Sequence, residues 1–221
     1  QYLLPNADAF NETCAAVGNV LFNFRMFLVH QDAKYLDVAE VSLLNNVLAA
    51  VNLEGNRFFY VNPLEADGKY PFNHGTAGRA PWFGTACCPS NMARLLPQVQ
   101  GMTYAHNEEN LYLAMYADTS TSLKIAGTDL AINQTTDYPN DGKIKISLNP
   151  KKPSSFKVHL RIPTWAGKQF VPGKLYKYLN QKKESWSLTV NGSKTQATVE
   201  KGFAIIERKW KKGDQIILDL P

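Results

Sequence analysis

Hydrophobic residues in the first part of the chain recur three and four positions apart. This period predicts an amphipathic helix that is capped by Asp8 or Asn11 and runs to about His30. A second run with the same period begins after Asp32, a good N-cap residue, and predicts a helix that ends near Gly55. Because the link between them is so short, the two helices are expected to form an antiparallel hairpin.

The pattern becomes irregular after the second predicted helix and then turns helical once more. Residues 57–61 form a short strand-like run, and a loop that contains glycine and proline follows at residues 67–84. A third helix is predicted after Pro89, with apolar residues along one side. Pro97 is expected to kink or shorten it, because proline lacks the amide hydrogen that a helix interior needs.

Beyond about Asn110 the pattern becomes extended, and short apolar runs predict β-strands separated by turn signals such as Asn191-Gly192. So many short strands with no helix between them indicate an antiparallel β-sandwich. The predicted fold class is therefore mixed and multidomain, with an all-α part at residues 1–109 and an all-β antiparallel sandwich at residues 110–221. The predicted strands are 111–117, 122–125, 130–136, 143–148, 157–162, 187–190, 197–199, 203–210 and 215–218.

Composition and charge argue against two classes of binding partner, nucleic acids and membranes. The chain has 221 residues, 44% of them hydrophobic, so it can bury a sizeable core. No run approaches 18 consecutive apolar residues, which excludes a transmembrane helix. The formal net charge of +5 comes from the part after residue 140, where lysines alternate with apolar residues and are expected to coat solvated strand faces. We therefore predict neither a nucleic-acid partner nor a membrane partner.

The three cysteines point to chemistry rather than to a disulfide framework, because their number is odd. Cys87 and Cys88 directly precede the third predicted helix, whose free amides and positive end favour a thiolate. Cys14 lies two residues after Glu12, where irregular or extended backbone can turn both side chains toward one point. Three thiolates and one carboxylate would complete a tetrahedral zinc shell. The alternative is a set of buried, inert cysteines, because paired Cys-x-x-Cys motifs are absent.

Five segments of the sequence carry a family resemblance. They are Glu-Thr-Cys-Ala at 12–15, Arg-Phe-Phe-Tyr-Val-Asn-Pro-Leu-Glu at 57–65, Pro-Trp-Phe-Gly-Thr-Ala-Cys-Cys-Pro-Ser-Asn-Met-Ala-Arg-Leu at 81–95, and the sandwich segments 160–166 and 201–210. With these motifs the chain resembles glycoside hydrolase family 127, the β-L-arabinofuranosidase family, long catalogued as a domain of unknown function. The resemblance covers nearly the whole chain, and the double-cysteine segment is its specific part.

The resemblance implies a fold, a metal and a nucleophile. The helical part would be the end of an (α/α)6 barrel, followed by the β-sandwich. In the family, zinc is held by residues that correspond here to Glu12, Cys14, Cys87 and Cys88. Cys87 would be the nucleophile of a retaining glycoside hydrolase, because zinc ligation removes the proton from a thiol at neutral pH. Its attack on the anomeric carbon would give a thioglycosyl intermediate that water hydrolyses with retention.

The resemblance also implies a substrate and two sugar contacts. The substrate would be a plant-derived oligosaccharide with β-linked L-arabinofuranose or a related furanoside. Glu40, on the second predicted helix, and Tyr60, in the strand-like run, match substrate-contacting residues of the family. For Glu40 the alternatives are a place at the rim of the apolar face or a pairing with Arg25. His74, in the loop before the cysteine pair, either lines a pocket or lies in solvent.

The general acid/base is the element that the sequence lacks. In the family it is a glutamate in a glycine-rich segment shortly before the Glu-x-Cys motif, and Asp8 does not match it. We therefore expect the acid to lie upstream of Gln1, the chain to be a C-terminal fragment, and the fragment alone to be inactive or nearly so. The alternative function is a noncatalytic zinc-stabilised or carbohydrate-binding module, in which the cysteines only join loops.

Overall fold

The structure, a computed structural model, describes residues 5–7, 9–167, 169–180 and 186–221. Within these residues no helix has both the length and the apolar character needed to cross a lipid bilayer. Asp8, one of the two predicted caps of the first helix, lies outside the described residues. The helices are α1 at Thr13–His30, α2 at Ala33–Ser42 with a π-helical continuation at Leu43–Val47, and α3 at Cys87–Val99.

The first two helices lie where the sequence predicts them, with differences at their ends. Asp32 caps α2 as predicted, since its Oδ1 accepts a hydrogen bond from a backbone N–H of the first turn at 3.0 Å. The side chain of Asn11 instead accepts a hydrogen bond from the Asn46 amide at 2.9 Å. The second helix stops well before Gly55, because the π turn that ends at Val47 interrupts the regular period.

Helix α3 begins before Pro89 rather than after it. Its first turn contains Cys87, Cys88 and Pro89, and proline fits there because first-turn amides have no intrahelical partner. Pro97 lies inside the helix, which ends two residues later at Val99. The double cysteine therefore belongs to the helix itself, not to the loop before it.

Most of the remaining chain is β-structure. Eleven strands lie in the described part of the chain: β1 Tyr104–His106, β2 Asn110–Leu113, β3 Thr119–Ile125, β4 Thr128–Thr136, β5 Lys143–Pro150, β6 Ser154–Arg161, β7 Ser187–Val190, β8 Ser193–Lys194, β9 Thr198–Glu200, β10 Phe203–Trp210 and β11 Asp214–Asp219. They form a five-stranded sheet in the order β1-β2-β6-β10-β9 and a six-stranded sheet in the order β3-β4-β5-β11-β7-β8.

One strand pair departs from the predicted antiparallel arrangement. Strands β2 and β6 run parallel, with Leu111 opposite Val158, so the prediction of a purely antiparallel sandwich is wrong at this pair. The chain leaves β2, forms β3, β4 and β5 in the other sheet, and then returns beside β2. A parallel neighbour needs such a long crossover connection, whereas antiparallel neighbours can be joined by a tight turn.

Alternating side chains build the core of the β-structure. On β5, Ile144 and Ile146 are buried, whereas Lys143 and Lys145 are exposed. The predicted lysine-coated strand face is therefore present. Trp210 is fully buried, and its indole N–H donates to a backbone carbonyl at 2.9 Å. The basic excess of this part of the chain thus accompanies a solvated sheet surface.

The chain divides into two compact units. Unit 1 comprises residues 1–25 and 38–99, and unit 2 comprises residues 26–37 and 100–221. Unit 2 therefore contains both sheets and also a helical tip, residues 26–37, formed by the end of α1 and the start of α2.

The helical tip packs on the sandwich within unit 2. The ring of Phe27 lies 5.9 Å from the rings of both Tyr112 and Phe203. Gly202 has a φ of +78°, and a Cβ added there would lie 2.7 Å from the Cβ of Ala33. Glycine is therefore required at position 202 by its backbone conformation and by the close approach of the tip.

A buried ion pair also joins the tip to the sandwich. The Nη1 atom of Arg161 on β6 lies 2.8 Å from Oδ1 of Asp37, and their side chains are 0% and 3% exposed. The Tyr116 hydroxyl donates to the carbonyl of Arg161, and the guanidinium carbon lies 5.7 Å from the centre of the Tyr116 ring. Because a charge without its partner is strongly disfavoured in the interior, each member of the pair depends on the other.

His159 on β6 is held in its neutral form by its surroundings. Its ring stacks on Tyr112 with 4.2 Å between centroids, and its Nε2 lies 2.8 Å from Oδ1 of Asn110. Burial, with a smaller contribution from the Lys157 charge, lowers the pKa of His159 from 6.5 to about 4.

Acidification is expected to destabilise unit 2 through His159. The unfolded chain binds this proton near pH 6.5 and the folded chain only near pH 4, so the free energy of unfolding falls as the pH drops across that interval. The loss should reach about 3 kcal/mol at most. Urea unfolding at several pH values in this range measures it for the wild type and for His159→Gln. The variant should lose less stability on acidification, and equal losses in both proteins would contradict the assignment.

Candidate metal centre

Backbone pairing brings the Glu-x-Cys segment against the run that contains Tyr60. The backbone N–H of Thr13 donates to the Tyr60 carbonyl at 3.0 Å, and Glu12 forms an antiparallel bridge with Val61. Because α1 begins at Thr13, Cys14 lies in its first turn and Glu12 directly precedes it. The change from extended to helical backbone at this point directs both side chains to one place, as the sequence predicted.

The first turn of α3 supplies the other two groups of the cluster. One carboxylate oxygen of Glu12 and the Sγ atoms of Cys14, Cys87 and Cys88 all lie within 4.8 Å of one another. Cys14 Sγ is 3.3 Å from Cys88 Sγ, and Cys87 Sγ is 3.9 Å from Cys88 Sγ. Cys87 Sγ is also 3.9 Å from Glu12 Oε1. A tetrahedral zinc ion with Zn–S bonds of about 2.3 Å places its sulfurs about 3.8 Å apart, so the spacing fits a zinc shell.

The thiols differ in their exposure. Cys88 is fully buried, whereas Cys14 and Cys87 are half-buried, and all three are free of disulfides. Four protein ligands would fill a tetrahedral shell and leave no position for a metal-bound water. A nucleophile at such a centre would then have to be one of the ligands or a group from outside the shell. Cys87 is a half-buried thiol of this cluster, and the Tyr60 side chain is the largest influence on its pKa.

Neighbouring groups give the thiols different proton affinities. A hydrogen bond with the Tyr60 hydroxyl lowers the pKa of Cys87 below its ordinary value, against the effect of desolvation. Burial raises the pKa of Cys88 and also that of Cys14, where the Asn91 amide opposes the rise. The same hydrogen bond raises the pKa of Tyr60, which therefore stays protonated. Of the three thiols, Cys87 loses its proton most readily.

Tyr60 is fixed by aromatic rings and by a buried amide. Its ring lies 4.3 Å from that of His74 and 5.7 Å from that of Phe83. Asn73, fully buried, accepts a hydrogen bond from the Tyr60 backbone N–H at 2.7 Å and donates to the Gly78 carbonyl at 2.8 Å. His74 is exposed and also lines a cavity of about 320 Å³, so it combines both predicted placements.

Hydrogen bonds among three asparagine amides and the Thr13 hydroxyl stabilise the backbone of the Glu-x-Cys segment, and the sequence did not predict them. Thr13, the residue between Glu and Cys of the motif, donates its hydroxyl to the Phe59 carbonyl at 2.8 Å. The Asn62 amide donates to the Thr13 hydroxyl at 2.8 Å and to Asn46 Oδ1 at 3.3 Å, and Asn46 donates to Asn11 at 2.9 Å. The pairs lie far apart in sequence, so no local pattern could indicate them.

The two predicted sugar-contacting residues are placed differently. Tyr60 adjoins the cluster, because its backbone carbonyl oxygen lies 3.9 Å from the Sγ atom of Cys88. Glu40 lies on α2, is 6% exposed, and is not one of the four converging groups. A role for either residue in sugar binding stays a prediction.

Comparison with known proteins covers nearly the whole chain. Residues 1–101 match the family model described as β-L-arabinofuranosidase, GH127 catalytic domain. Residues 110–221 match the model described as β-L-arabinofuranosidase, GH127 middle domain.

Individual relatives agree with these matches. A non-reducing end β-L-arabinofuranosidase of Bifidobacterium longum subsp. longum is 30% identical over 212 residues, which are 93% of this chain and 30% of that protein. A solved GH127 β-arabinofuranosidase is similar with a TM-score of 0.93 and 41% identity, over 100% of this chain and 34% of that one. A GH127 β-L-arabinofuranosidase from Geobacillus stearothermophilus T6 has a TM-score of 0.84 and 33% identity, over 98% of this chain and 32% of that one. The chain spans about a third of the length of these relatives.

Proposed function

Because the chain belongs to glycoside hydrolase family 127, we propose that it forms part of a retaining enzyme acting on plant-derived oligosaccharides. It would release L-arabinofuranose, or a related furanose, from a β-linked position in the substrate, in line with the names of the relatives. The observation that carries the proposal is the convergence of four donor atoms within 4.8 Å, one of them the accessible thiol with the lowered pKa. The family matches support a boundary between residues 101 and 110, and we propose that the part before it is the end of an (α/α)6 barrel and that residues 110–221 are the β-sandwich.

The residues that would hold the metal are Glu12, Cys14, Cys87 and Cys88. Three sulfurs and one carboxylate oxygen are a donor set that zinc accepts in tetrahedral geometry. When bound, zinc would keep the ligating thiols deprotonated at neutral pH and neutralise part of their charge. The half-buried position of Cys87 beside the Tyr60 hydroxyl makes it the ligand best placed to react with a sugar.

Cys87 would act as the nucleophile in a double displacement. Its Sγ forms a bond to the anomeric carbon while the glycosidic C–O bond breaks, and the electron pair of that bond leaves with the aglycone oxygen. That oxygen takes a proton from the general acid. Water then attacks the same carbon, its proton passes to the conjugate base, and the C–S bond breaks to return the Cys87 thiolate. Two inversions give net retention.

We propose that the general acid/base is a glutamate outside residues 1–221. Without it the leaving oxygen is poorly protonated, which on general grounds lowers the rate by about 10²–10⁴-fold. Tyr60 would hold Cys87 through its hydroxyl and contact the sugar, and Glu40 would accept hydrogen bonds from sugar hydroxyls. The chain by itself is therefore expected to show little or no activity.

The second candidate is a noncatalytic, zinc-stabilised module. The observation that favours it is the convergence of four protein groups, because a structural zinc site is closed by four protein ligands. In that case the cysteines would join α1 to α3, and no bond to a sugar would form.

Metal analysis and an activity assay on the full-length protein separate the two candidates. Purified in reducing, chelator-free buffer, it should contain about one equivalent of zinc and hydrolyse an aryl β-L-arabinofuranoside. The α-linked aryl arabinofuranoside is the matched control and should react much more slowly. Proton NMR of the first product should show the retained anomer. Zinc without hydrolysis would support the noncatalytic module, and absence of zinc would overturn the metal site itself.

A further inference from the structure

Asn91, one turn after Cys87 on α3, contacts the cluster without belonging to it. Its Nδ2 donates a hydrogen bond to the Sγ atom of Cys14 at 3.2 Å. Its Oδ1 accepts a hydrogen bond from Nη1 of Arg94 at 3.1 Å. Asn91 is half-buried and Arg94 is exposed. The Asn91 amide therefore lies between the Cys14 sulfur and a guanidinium group at the surface.

Arg94 determines which end of the Asn91 amide faces the sulfur. A guanidinium can only donate, so it requires the oxygen of the amide on its own side. The NH₂ group is then directed toward Cys14, where it can donate to a thiolate. The Asn91 amide is therefore oriented by charge. Its oxygen faces the positive guanidinium of Arg94, and its N–H groups face the sulfur of Cys14.

The charge of the proposed shell explains why such a donor is useful. Three thiolates and one carboxylate carry four negative charges against the two positive charges of zinc. The excess negative charge resides largely on the sulfurs, and donors outside the shell stabilise it. In the described part of the chain, the Asn91 amide is the side-chain amide that bonds directly to a thiol of the cluster.

We propose that Asn91, oriented by Arg94, is a positioning residue that holds Cys14 as a metal ligand, an inference that rests on the proposed zinc site. Asn91 does not contact the metal or the sugar in this proposal. It acts on the shell through its hydrogen bond to the Sγ atom of Cys14.

Zinc affinity in variants of the full-length protein tests the proposal. Asn91→Asp keeps the size and the acceptor for Arg94 but replaces the donor with a negative charge, so the zinc dissociation constant should rise by about 100-fold. Asn91→Ala, which only removes the donor, should raise it by about 10-fold. Competition with a chromophoric chelator measures both values. Gln98→Glu adds the same charge at an exposed position of the same helix, where the amide donates to the Arg94 carbonyl, and should change the affinity by less than about 3-fold.

A spectroscopic readout separates this role from a purely structural one. With Co²⁺ in place of zinc, the thiolate-to-metal absorption should shift in Asn91→Asp and Asn91→Ala but not in Gln98→Glu, because the first two alter the charge on one ligating sulfur. Wild-type zinc affinity and an unchanged Co²⁺ spectrum in a folded Asn91→Ala protein would overturn the role of Asn91 and leave the zinc site intact. A wild-type protein that binds neither metal would overturn both proposals.

Discussion

Replacing Cys87 with serine in the full-length enzyme is expected to lower kcat by about 10⁴-fold or more, as loss of a covalent nucleophile does elsewhere. A serine hydroxyl stays protonated at neutral pH and is a far weaker nucleophile than a thiolate. Cys87 is also the thiol whose pKa is lowered, by its hydrogen bond with the Tyr60 hydroxyl. The measurement is steady-state hydrolysis of an aryl β-L-arabinofuranoside, together with the zinc content of each protein.

The control for this substitution comes from the same helix. Ser90→Ala removes a hydroxyl whose hydrogen bonds in the described part of the chain go to the carbonyls of Ala86 and Cys87, so kcat should change by less than about 3-fold. In the wild type, a slowly hydrolysed substrate should leave a sugar adduct on a peptide that contains Cys87, detected by mass spectrometry. A Cys87→Ser enzyme that keeps zinc and more than about a tenth of the wild-type kcat would refute the nucleophile assignment.

The second large effect is expected at the buried ion pair of unit 2. Asp37→Ala should lower the free energy of unfolding by about 3–5 kcal/mol, because it leaves the guanidinium of Arg161 buried without this carboxylate. Urea unfolding followed by tryptophan fluorescence measures the loss. Lys151→Ala is the matched control: its ion pair with Asp129 has the same 2.8 Å distance, but its members are 77% and 44% exposed. That variant should lose only about 0–1 kcal/mol.

A double variant distinguishes charge from packing at this position. If the loss in Asp37→Ala comes from removing the Asp37 carboxylate beside the buried Arg161 charge, Arg161→Met combined with Asp37→Leu should be more stable than Asp37→Ala alone. Equal losses in Asp37→Ala and Lys151→Ala would show that burial does not govern the strength of this pair.

The β-structure could be predicted from the sequence where local alternation dictates it. The Lys143–Ile146 alternation predicted β5, and turn signals such as Asn191-Gly192 placed strand ends correctly. The shortest strands gave an unreliable signal: β9 was predicted at residues 197–199, whereas β1 and β8 were missed. The parallel pairing of β2 and β6 was also missed, since it depends on contacts distant in sequence.

The four residues of the candidate metal site could be predicted from the sequence, but the contacts that hold them in place could not. Glu12, Cys14 and the double cysteine followed from motif and resemblance, and the structure brings them together. Their convergence depends on the pairing of Thr13 with Tyr60, which no spacing rule contains. Asn91 lies in the double-cysteine segment that carries the resemblance, but its contact with Cys14 was not predicted, because the contact depends on which atoms the fold brings together.

The helical tip bears on how this chain can be recombined with its relatives. Residues 26–37 precede the strands in sequence but belong to the same compact unit, where Phe27 and Asp37 contact sandwich residues. A chimera joined at residue 110 would pack the sandwich of one parent against the helical tip of the other. Because Gly202 and Ala33 approach so closely, a side chain larger than alanine at position 33 would clash. Functional chimeras should therefore exchange the tip and the sandwich together. The two segments are expected to be inherited as a single module despite the long stretch of chain between them.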